Sequence, residues 1–504
     1  MKKRALCLIL AALMLVSVTA CSETKDNSGS ETKKTENAST PNAGADVSES
    51  ESEEELTDYE KRQLIPDNLP EITFNGASFD ALTTDEIRSI NYAAEIAVED
   101  ITGDACNDAV YNRNLDVESR FEVKITSKDQ ATPEDQIRVM AQAGTNDYDI
   151  VSIRDYRAYV PISTEVAINW MEVPNVDTTQ VWLNPVANEQ ATINNRLFAI
   201  TSDLSTSSLT LSHAIFFNVD IMENYGYSSS DLYALVKEGK WTIDKFSEIA
   251  STIYEDKNGN GEKDKDDLFG YGYYPEVCVD VWQVAFDQPV ISIEGNEIIP
   301  TIMCDKSVSI IEKLTSMKTT NPGVHQYTSG ALEEETYFSN GLLAMAPLRF
   351  QAAFSVLRDM DTQYSMLPYP KWDEAQENYY TNADDKYSVF VIPLSSASEL
   401  EMIGTVFTAL SAESYKKVYP EYYDTALKGK YSSEAETAEM VDLIVAGRKF
   451  DFSFQFGETY LSRMCYLFRD MLLNNKTDLA SEYKAKEKPL TKQIEKKLKP
   501  LYFD

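Results

Sequence analysis

The sequence predicts an α/β protein of more than one domain, with parallel sheets at its centre. The chain has 504 residues, of which 43% are hydrophobic, and this is enough for a sizeable core. A strand pattern at 121–125 and another at 149–153 flank a helical pattern that starts at Thr132. Two strands separated by a helix within some thirty residues are typical of a βαβ unit, in which the strands run parallel.

Local signals justify these elements one by one. Residues 121–125 alternate apolar and polar side chains, as a half-buried strand does. Thr132 and Pro133 suit the start of a helix, and Gly144 suits its end. A second helix is predicted after Thr242, where Trp241 and Phe246 can pack across the helix start.

Further apolar runs predict more strands and one more long helix. Short strands are expected at 197–200, 214–217 and 364–367, and a strong strand at 389–392. A helix should follow at 399–412.

The charge balance excludes several classes of function. Asp and Glu number 82 against 46 Lys and Arg, a net charge of −36, so a nucleic-acid partner is not expected. The 2 histidines leave little room for a His-rich metal site, and His213 and His325 are expected to be structural. No nucleotide-binding or hydrolase motif is present. A glycosidase needs only two carboxylates, so composition leaves that enzyme class open.

The N-terminus predicts an exported, lipid-anchored protein. Three basic residues precede an apolar run at 6–16, which favours a signal peptide over residues 1–20. The following 18–21 segment, ending in Cys21, resembles the lipoprotein box, which implies an N-terminal lipid on Cys21 and attachment to the extracellular face of the cell membrane. A plain signal peptide is the alternative. Residues 21–65 are polar and acidic, and we expect a disordered tether there.

Several segments together resemble the extracellular solute-binding proteins of ABC importers, in their carbohydrate-binding, maltose-binding-protein-like branch (family 1). They are 239–242, 338–345, 367–371 and 420–423, in the expected order. The resemblance implies a two-lobe, type II periplasmic-binding-protein-like fold with a hinge that the chain crosses several times. Lobe 1 is then 66–205 and 388–447, and lobe 2 is 206–387 and 448–504.

The same resemblance implies a function without chemistry on the ligand. A monomeric lipoprotein would capture a sugar or oligosaccharide between its lobes and deliver it to an ABC transporter permease. Two alternatives stay open: a secreted glycan-degrading enzyme, and a binding lipoprotein for peptides or another solute.

Position in this implied fold selects six candidate ligand-binding residues. Loops at the carboxyl ends of parallel strands line such clefts, and the sugar's hydroxyls need charged or aromatic partners. A surface salt-bridge cluster is the alternative for Arg154 and Asp155, and a helix or turn cap is the alternative for Asp203. The candidates are Arg154, Asp155, Asp203, Trp282, Arg349 and Phe350.

An acidic loop at 256–267 predicts a structural Ca²⁺ site. Its oxygen-bearing residues have EF-hand-like spacing, with Gly261 at the turn position. The last position holds an Asp where Glu is usual, which should weaken binding. A solvated, metal-free turn is the alternative. The candidate ligands are Asp256, Asn258, Asn260, Glu262 and Asp267, with Glu262 contributing its backbone carbonyl.

Four cysteines lie beyond the predicted signal and lipidation site. They allow three disulfide pairings, although free buried thiols are favoured in a chain with a large core. They are Cys106, Cys278, Cys304 and Cys465.

Overall fold

A computed structural model describes residues 56–84, 95–327, 333–358, 360–423, 435–457 and 459–503. The predicted signal peptide, Cys21 and nearly all of the tether lie outside the described residues. In the part described, no helix combines the length and apolar character needed to cross a membrane.

Strands and helices alternate along the chain. The strands are β1 (Ala77–Thr84), β2 (Val123–Gln130), β3 (Ile150–Arg154), β4 (His213–Asn218), β5 (Tyr254–Glu255), β6 (Leu268–Tyr273), β7 (Ile291–Glu294), β8 (Glu297–Pro300), β9 (Val324–Gln326), β10 (Leu343–Arg349), β11 (Tyr364–Leu367), β12 (Thr381–Asn382), β13 (Ser388–Val391) and β14 (Arg448–Lys449). The α-helices include Asp58–Gln63, Ala105–Phe121, Pro133–Ala143, Tyr159–Ser163, Pro185–Ala191, Ser207–Thr210, Val219–Asn224, Ser229–Lys237, Ile243–Ser251, Val277–Ala285, Asp305–Thr320, Glu333–Ser339, Leu400–Glu413, Ala435–Ala446, Ser453–Phe456, Leu467–Leu473, Leu479–Gln493 and Lys499–Phe503.

The first sheet has the strand order β13-β3-β1-β2. β1 is parallel to both β2 and β3, whereas β13 is antiparallel to β3. The helix Pro133–Ala143 connects β2 to β3, so the predicted βαβ unit is confirmed, with β1 lying between its two strands.

The second sheet has the order β11-β4-β10-β6-β5, and β9 also pairs with β6. β6, β9 and β10 are parallel, while β4 is antiparallel to β10. The carboxyl ends of β6 and β10 therefore lie at the same edge as the beginning of β4.

The predicted helix signals are confirmed, with one difference. Gly144 ends its helix at φ +67°, a conformation that suits glycine. The Trp241 and Phe246 rings lie 5.8 Å apart and edge to face, so the predicted contact across the helix start exists. Thr132, however, makes no side-chain capping bond, because Pro133 at the helix start already fixes the backbone there.

Residues 388–447 divide between the two sheets. Helix Leu400–Glu413 packs against Ala105–Phe121 beside the first sheet, but helix Ala435–Ala446 packs against β11 and Ser229–Lys237 of the second. Val441 and Ile444 of that helix belong to the apolar core beneath the second sheet, so its burial requires this position. The packing therefore departs from the lobe bounds expected from the sequence, which assigned 388–447 to the first lobe.

The four cysteines are free thiols. Cys278 and Cys465 are buried, while Cys106 and Cys304 are partly buried.

Candidate functional site

The same local arrangement occurs at one edge of each sheet. Arg154 ends β3 and pairs with Ser388, which begins the antiparallel β13. Arg349 ends β10 and pairs with His213, which begins the antiparallel β4. Each sheet thus places an arginine where parallel strands end, and ligands of α/β proteins bind at such edges.

One short segment connects these two edges. We call residues 383–388 the crossing segment. The Asp384 amide donates to the Leu211 carbonyl at 2.9 Å, just before β4 of the second sheet. The Asp155 amide donates to the Tyr387 carbonyl at 2.9 Å, just after β3 of the first sheet. The crossing segment therefore holds the two edges in register with each other.

Asp155 is a candidate that lies at this junction. Its side chain is 2% exposed and accepts a 2.8 Å hydrogen bond from Gln455 Nε2. Burial raises the pKa of Asp155 to about 7, partly offset by hydrogen bonds from Gln455 and Tyr387. Its neighbour Arg154 is partly buried and donates to Tyr156 Oη at 2.8 Å. These contacts join residue 155 to the chain 300 positions later.

Asp203 lies beside the path from the first sheet to the second. Its amide donates to the Trp182 carbonyl at 2.8 Å, and its side chain is 8% exposed. Burial raises the pKa of Asp203 to about 7, while the charge of Arg448 lowers it.

Arg349 forms a buried ion-pair network at the second edge. Its guanidinium lies 3.3 Å from Asp384 and 3.6 Å from Glu335. The network joins β10 to the crossing segment, so Arg349 and Asp155 flank the same short stretch of chain. Of the six candidates, the crossing segment thus meets three: Arg154, Asp155 and Arg349.

Trp282 and Phe350 have positions that do not suit a sugar-binding platform. Trp282 is 2% exposed, and its ring packs edge to face against Phe246, Tyr271 and Tyr369 in the core of the second sheet. Phe350 is fully buried. A ring surrounded in this way has no open face for a ligand, so the expectation that these two bind ligand is corrected to core packing.

Four neutral side chains beside the Arg349 network have buried polar atoms without a hydrogen-bond partner among the described residues. In the described chain, both ring nitrogens of His213, both amide atoms of Gln283, Gln351 Oε1 and Asn382 Oδ1 are buried without a partner. All four residues are at most 5% exposed. We call His213, Gln283, Gln351 and Asn382 the buried polar cluster.

Several contacts bring together the chain segments that carry this cluster. Thr381 Oγ1 donates to the His213 carbonyl at 2.8 Å, which places Asn382 beside His213. The Phe350 amide donates to the Ser212 carbonyl at 2.9 Å, which places Gln351 nearby. The helix carrying Gln283 packs against β12.

The sequence did not reveal that the side chains of this cluster have polar atoms without hydrogen-bond partners. His213 was expected to be a satisfied structural histidine, but neither of its ring nitrogens is paired within the described residues. Burial lowers the pKa of His213 to about 3, so its imidazole is neutral and can both donate and accept. An unpaired buried polar group costs about 1–3 kcal/mol, so these groups together indicate a site for polar partners. Glutamine and asparagine carry no sequence signal that separates such positions from surface ones.

An open pocket of about 310 Å³ is lined by other residues than the four of the buried polar cluster. Gln190 lines one side, and another side is lined by Val284 from the helix that carries Gln283 and by Asp287 just after that helix. Phe450 and Phe452 provide apolar surface. Pockets of this size with apolar walls and a few polar groups are typical of small-ligand sites.

The predicted calcium loop folds around its own backbone amides. Asp256 accepts from the amides of Gly259 and Gly261 at 2.6 and 2.8 Å. Asp267 is fully buried and accepts from Tyr254 Oη at 3.2 Å.

The two asparagines of the loop are also engaged within it. Asn258 and Asn260 donate to Asp264 at 3.2 and 2.7 Å, and the Glu262 amide donates to Asn260 Oδ1 at 2.7 Å. No group of three His, Cys, Asp or Glu side chains in the described ranges is arranged to hold a metal ion. Calcium binding by this loop stays a prediction.

Comparison with known proteins shows the fold. No family model and no curated protein sequence matches the chain. A cyclo/maltodextrin-binding protein complexed with maltotetraose is similar in structure, with a TM-score of 0.55 and 11% identity over 84% of this chain and 98% of that one. An ABC transporter solute-binding protein of Thermotoga lettingae bound with α-D-tagatose has a TM-score of 0.53 and 13% identity over 83% and 100%.

A third similar structure is UgpB of Mycobacterium tuberculosis in complex with glycerophosphocholine. Its TM-score is 0.53, with 12% identity over 84% of this chain and 99% of that one. The two sheets described above are therefore the two α/β lobes of the solute-binding-protein fold. The crossing segment lies where the chain passes between these lobes, and Asn382 of the buried polar cluster comes immediately before it.

Proposed function

We propose that this chain captures a sugar or oligosaccharide between its two lobes and delivers it, unaltered, to an ABC permease. The buried polar cluster is the observation that carries the proposal. Sugar hydroxyls both donate and accept, as do the neutral imidazole of His213 and the amide of Gln283. A ligand that pairs with these groups removes a cost of about 1–3 kcal/mol for each one, and the closed form is thereby stabilised.

The cellular location of the protein is part of the same proposal. The lipoprotein-box resemblance at Cys21 and the acidic segment after it support a lipid-anchored protein on the outer face of the cell membrane, acting as a monomer. The acyl chains would provide the membrane attachment, and the polar segment would let the lobes reach a permease.

Replacing Gln283 with methionine should separate binding from folding. Methionine has a similar shape and removes two unpaired polar atoms, so the stability of the free protein should stay equal or rise. Affinity for a carbohydrate ligand should fall about 10-fold or more, since about 1–3 kcal/mol of hydrogen bonding is lost. Calorimetric titration with the sugar that gives the largest thermal shift in wild type measures the affinity, and thermal denaturation of the ligand-free protein measures its stability.

Gln142→Met is the matched control, because Gln142 is exposed on helix Pro133–Ala143. It should leave affinity unchanged. If Gln283→Met and wild type bind equally well, the cluster is not the ligand site. If purified protein cuts the glycan, the glycosidase alternative replaces capture. Stabilisation by peptides but not by sugars would favour the peptide-binding alternative.

We also propose that the 256–267 loop binds Ca²⁺ weakly. The EF-hand-like spacing supports this, and so do the Asp256 and Asp267 carboxylates, which accept from amides of the loop, since carboxylates are preferred calcium ligands. Millimolar Ca²⁺ should raise the melting temperature of wild type relative to EDTA, by mass action.

Asp256→Asn should abolish that calcium-dependent shift in melting temperature. Asp266→Asn should retain it, because Asp266 is exposed in the same loop and pairs with Lys265. Identical melting curves for wild type in calcium and in EDTA would show that the loop binds no calcium.

A further inference from the structure

The end of the chain carries a charge opposite to that of the protein as a whole. Helix Leu479–Gln493 continues through a π-helical turn, Ile494–Leu498, into helix Lys499–Phe503. We call residues 479–503 the C-terminal helical segment. It contains seven lysines and three glutamates, a net charge of +4, whereas the whole chain carries −36. Cations are therefore concentrated in this segment.

The C-terminal helical segment is held against the body by an apolar face and by polar contacts near its end. Asn194 Nδ2 donates to the Tyr502 carbonyl at 2.7 Å, and Lys499 Nζ lies 2.5 Å from Glu297. The buried side chains of the segment are Leu479, Leu490, Ile494, Leu498 and Tyr502. Because this side of the segment packs on the protein, the other side has a fixed position on the surface.

Four exposed lysines recur at every fourth position on that outer side. Residues four apart lie on one face of a helix. We call these residues the lysine face: Lys484, Lys488, Lys492 and Lys496. Lys484 Nζ lies 2.7 Å from Glu487, and the other three form no ion pair within the described ranges. The face therefore presents a row of largely unneutralised charges.

The stability of the helix does not explain this row. Like charges four residues apart on a helix repel each other and weaken it. The helix dipole favours cations only in the last turn, whereas Lys484 and Lys488 lie well before the C-terminus. An anionic partner lying across the face would offset the repulsion.

The composition of the face favours a membrane surface over a protein as that partner. The cores of protein–protein interfaces are enriched in arginine and aromatic residues and depleted in lysine. In the part of the chain that the structure describes, the exposed positions of the C-terminal helical segment hold no arginine and no aromatic ring. Clustered lysines are typical of surfaces that bind anionic phospholipid headgroups, whose charge is spread over the bilayer.

We propose that the lysine face docks on anionic phospholipid headgroups and so orients the body on the membrane. This inference goes beyond ligand capture, and it rests on the proposed location at the outer face of the cell membrane. A lipid anchor keeps the body close to the bilayer, so weak electrostatic contacts are sufficient there. The chain as a whole is acidic and is repelled by the same surface, so the lysine face is the side turned toward the lipid.

Chemical labelling of lysines tests this contact. The full mature chain is mixed with vesicles of phosphatidylcholine alone or with about 30% phosphatidylglycerol, and a membrane-impermeant reagent then acetylates exposed amines. Mass spectrometry should show Lys488 and Lys492 labelled at least about 5-fold more slowly on the anionic vesicles at about 0.1 M salt, and equally on both at about 1 M salt. Lys124, exposed on β2, should be labelled equally on both kinds of vesicle.

A double substitution tests the face itself. Lys488→Gln combined with Lys492→Gln should remove most of the protection of the two lysines of the face that remain, because two of its four charges are lost. Lys124→Gln combined with Lys240→Gln is the matched control, since it removes two exposed charges elsewhere on the protein. The control variant should keep the full protection.

Equal labelling of the lysine face on neutral and anionic vesicles overturns the membrane contact. Protection by poly-L-glutamate but not by anionic vesicles overturns it in favour of an acidic protein partner. Sedimentation with the neutral vesicles reports the lipid anchor separately. A chain that does not sediment with them lacks the anchor, and protection on anionic vesicles would then still support the lysine face. Carbohydrate capture is tested independently by the Gln283→Met titration.

Discussion

Replacing Arg113 with methionine should lower the free energy of unfolding by about 3–5 kcal/mol. Arg113 is fully buried, and its guanidinium donates to the Ile96 carbonyl at 2.6 Å, the Glu95 carbonyl at 3.1 Å and Ser414 Oγ at 3.0 Å. Methionine fills similar space but donates to none of these oxygens, and buried acceptors left unpaired are costly. Urea denaturation followed by circular dichroism measures the difference.

Arg138→Met provides the matched control. Arg138 is about half exposed and lies 3.7 Å from Asp135 one turn away, so its ion pair contributes little. We expect a change below about 0.5 kcal/mol. If the Arg113 and Arg138 variants unfold at the same urea concentration, the buried network around Arg113 does not stabilise the fold.

Replacing Trp282 with alanine should cost about 3–5 kcal/mol of stability, the usual effect of removing a large aromatic side chain from a core. Its ring lies 4.9 Å from that of Tyr369 and 5.5 Å from that of Phe246. Thermal denaturation measures the loss.

Trp282→Phe retains an aromatic ring and should cost clearly less stability. Its affinity for carbohydrate should equal that of wild type, since the structure places residue 282 in the core. A Phe variant that keeps full stability but loses binding would restore Trp282 as a ligand platform.

The fold was predictable from the sequence wherever local signals agree with long-range packing. The strand at 389–392 and the helix after Pro133 depend on periodicity and capping, which a short window reveals. The expected strand at 197–200 forms only an isolated bridge between Ile200 and Phe390. There Asn188 Oδ1 accepts a hydrogen bond from the Thr201 amide at 2.8 Å, and Asn188 Nδ2 donates one to the Thr201 carbonyl at 2.9 Å. These side-chain hydrogen bonds take the place of strand pairing.

The site was less predictable because it is assembled from distant segments. Arg349 was a candidate because of its place in the implied fold, and its buried carboxylate partners were not foreseen. Gln283 and Asn382 belong to the candidate site because they have buried polar atoms without hydrogen-bond partners among the described residues. The lack of a partner results from packing and cannot be predicted from the sequence. Trp282 was predicted to bind ligand but packs in the core. The sequence does not separate the two roles, because tryptophan occurs both in cores and in ligand sites.

The order of the strands has a consequence for how the protein is made. β13 completes the first sheet by pairing with β3, more than two hundred residues earlier, and β14 pairs with β12 near the end of the chain. Contacts so distant in sequence imply high contact order and slow folding. Neither half can finish before most of the polypeptide has been synthesised. A nascent chain that stays unfolded for that long remains in a state that a secretion channel can thread.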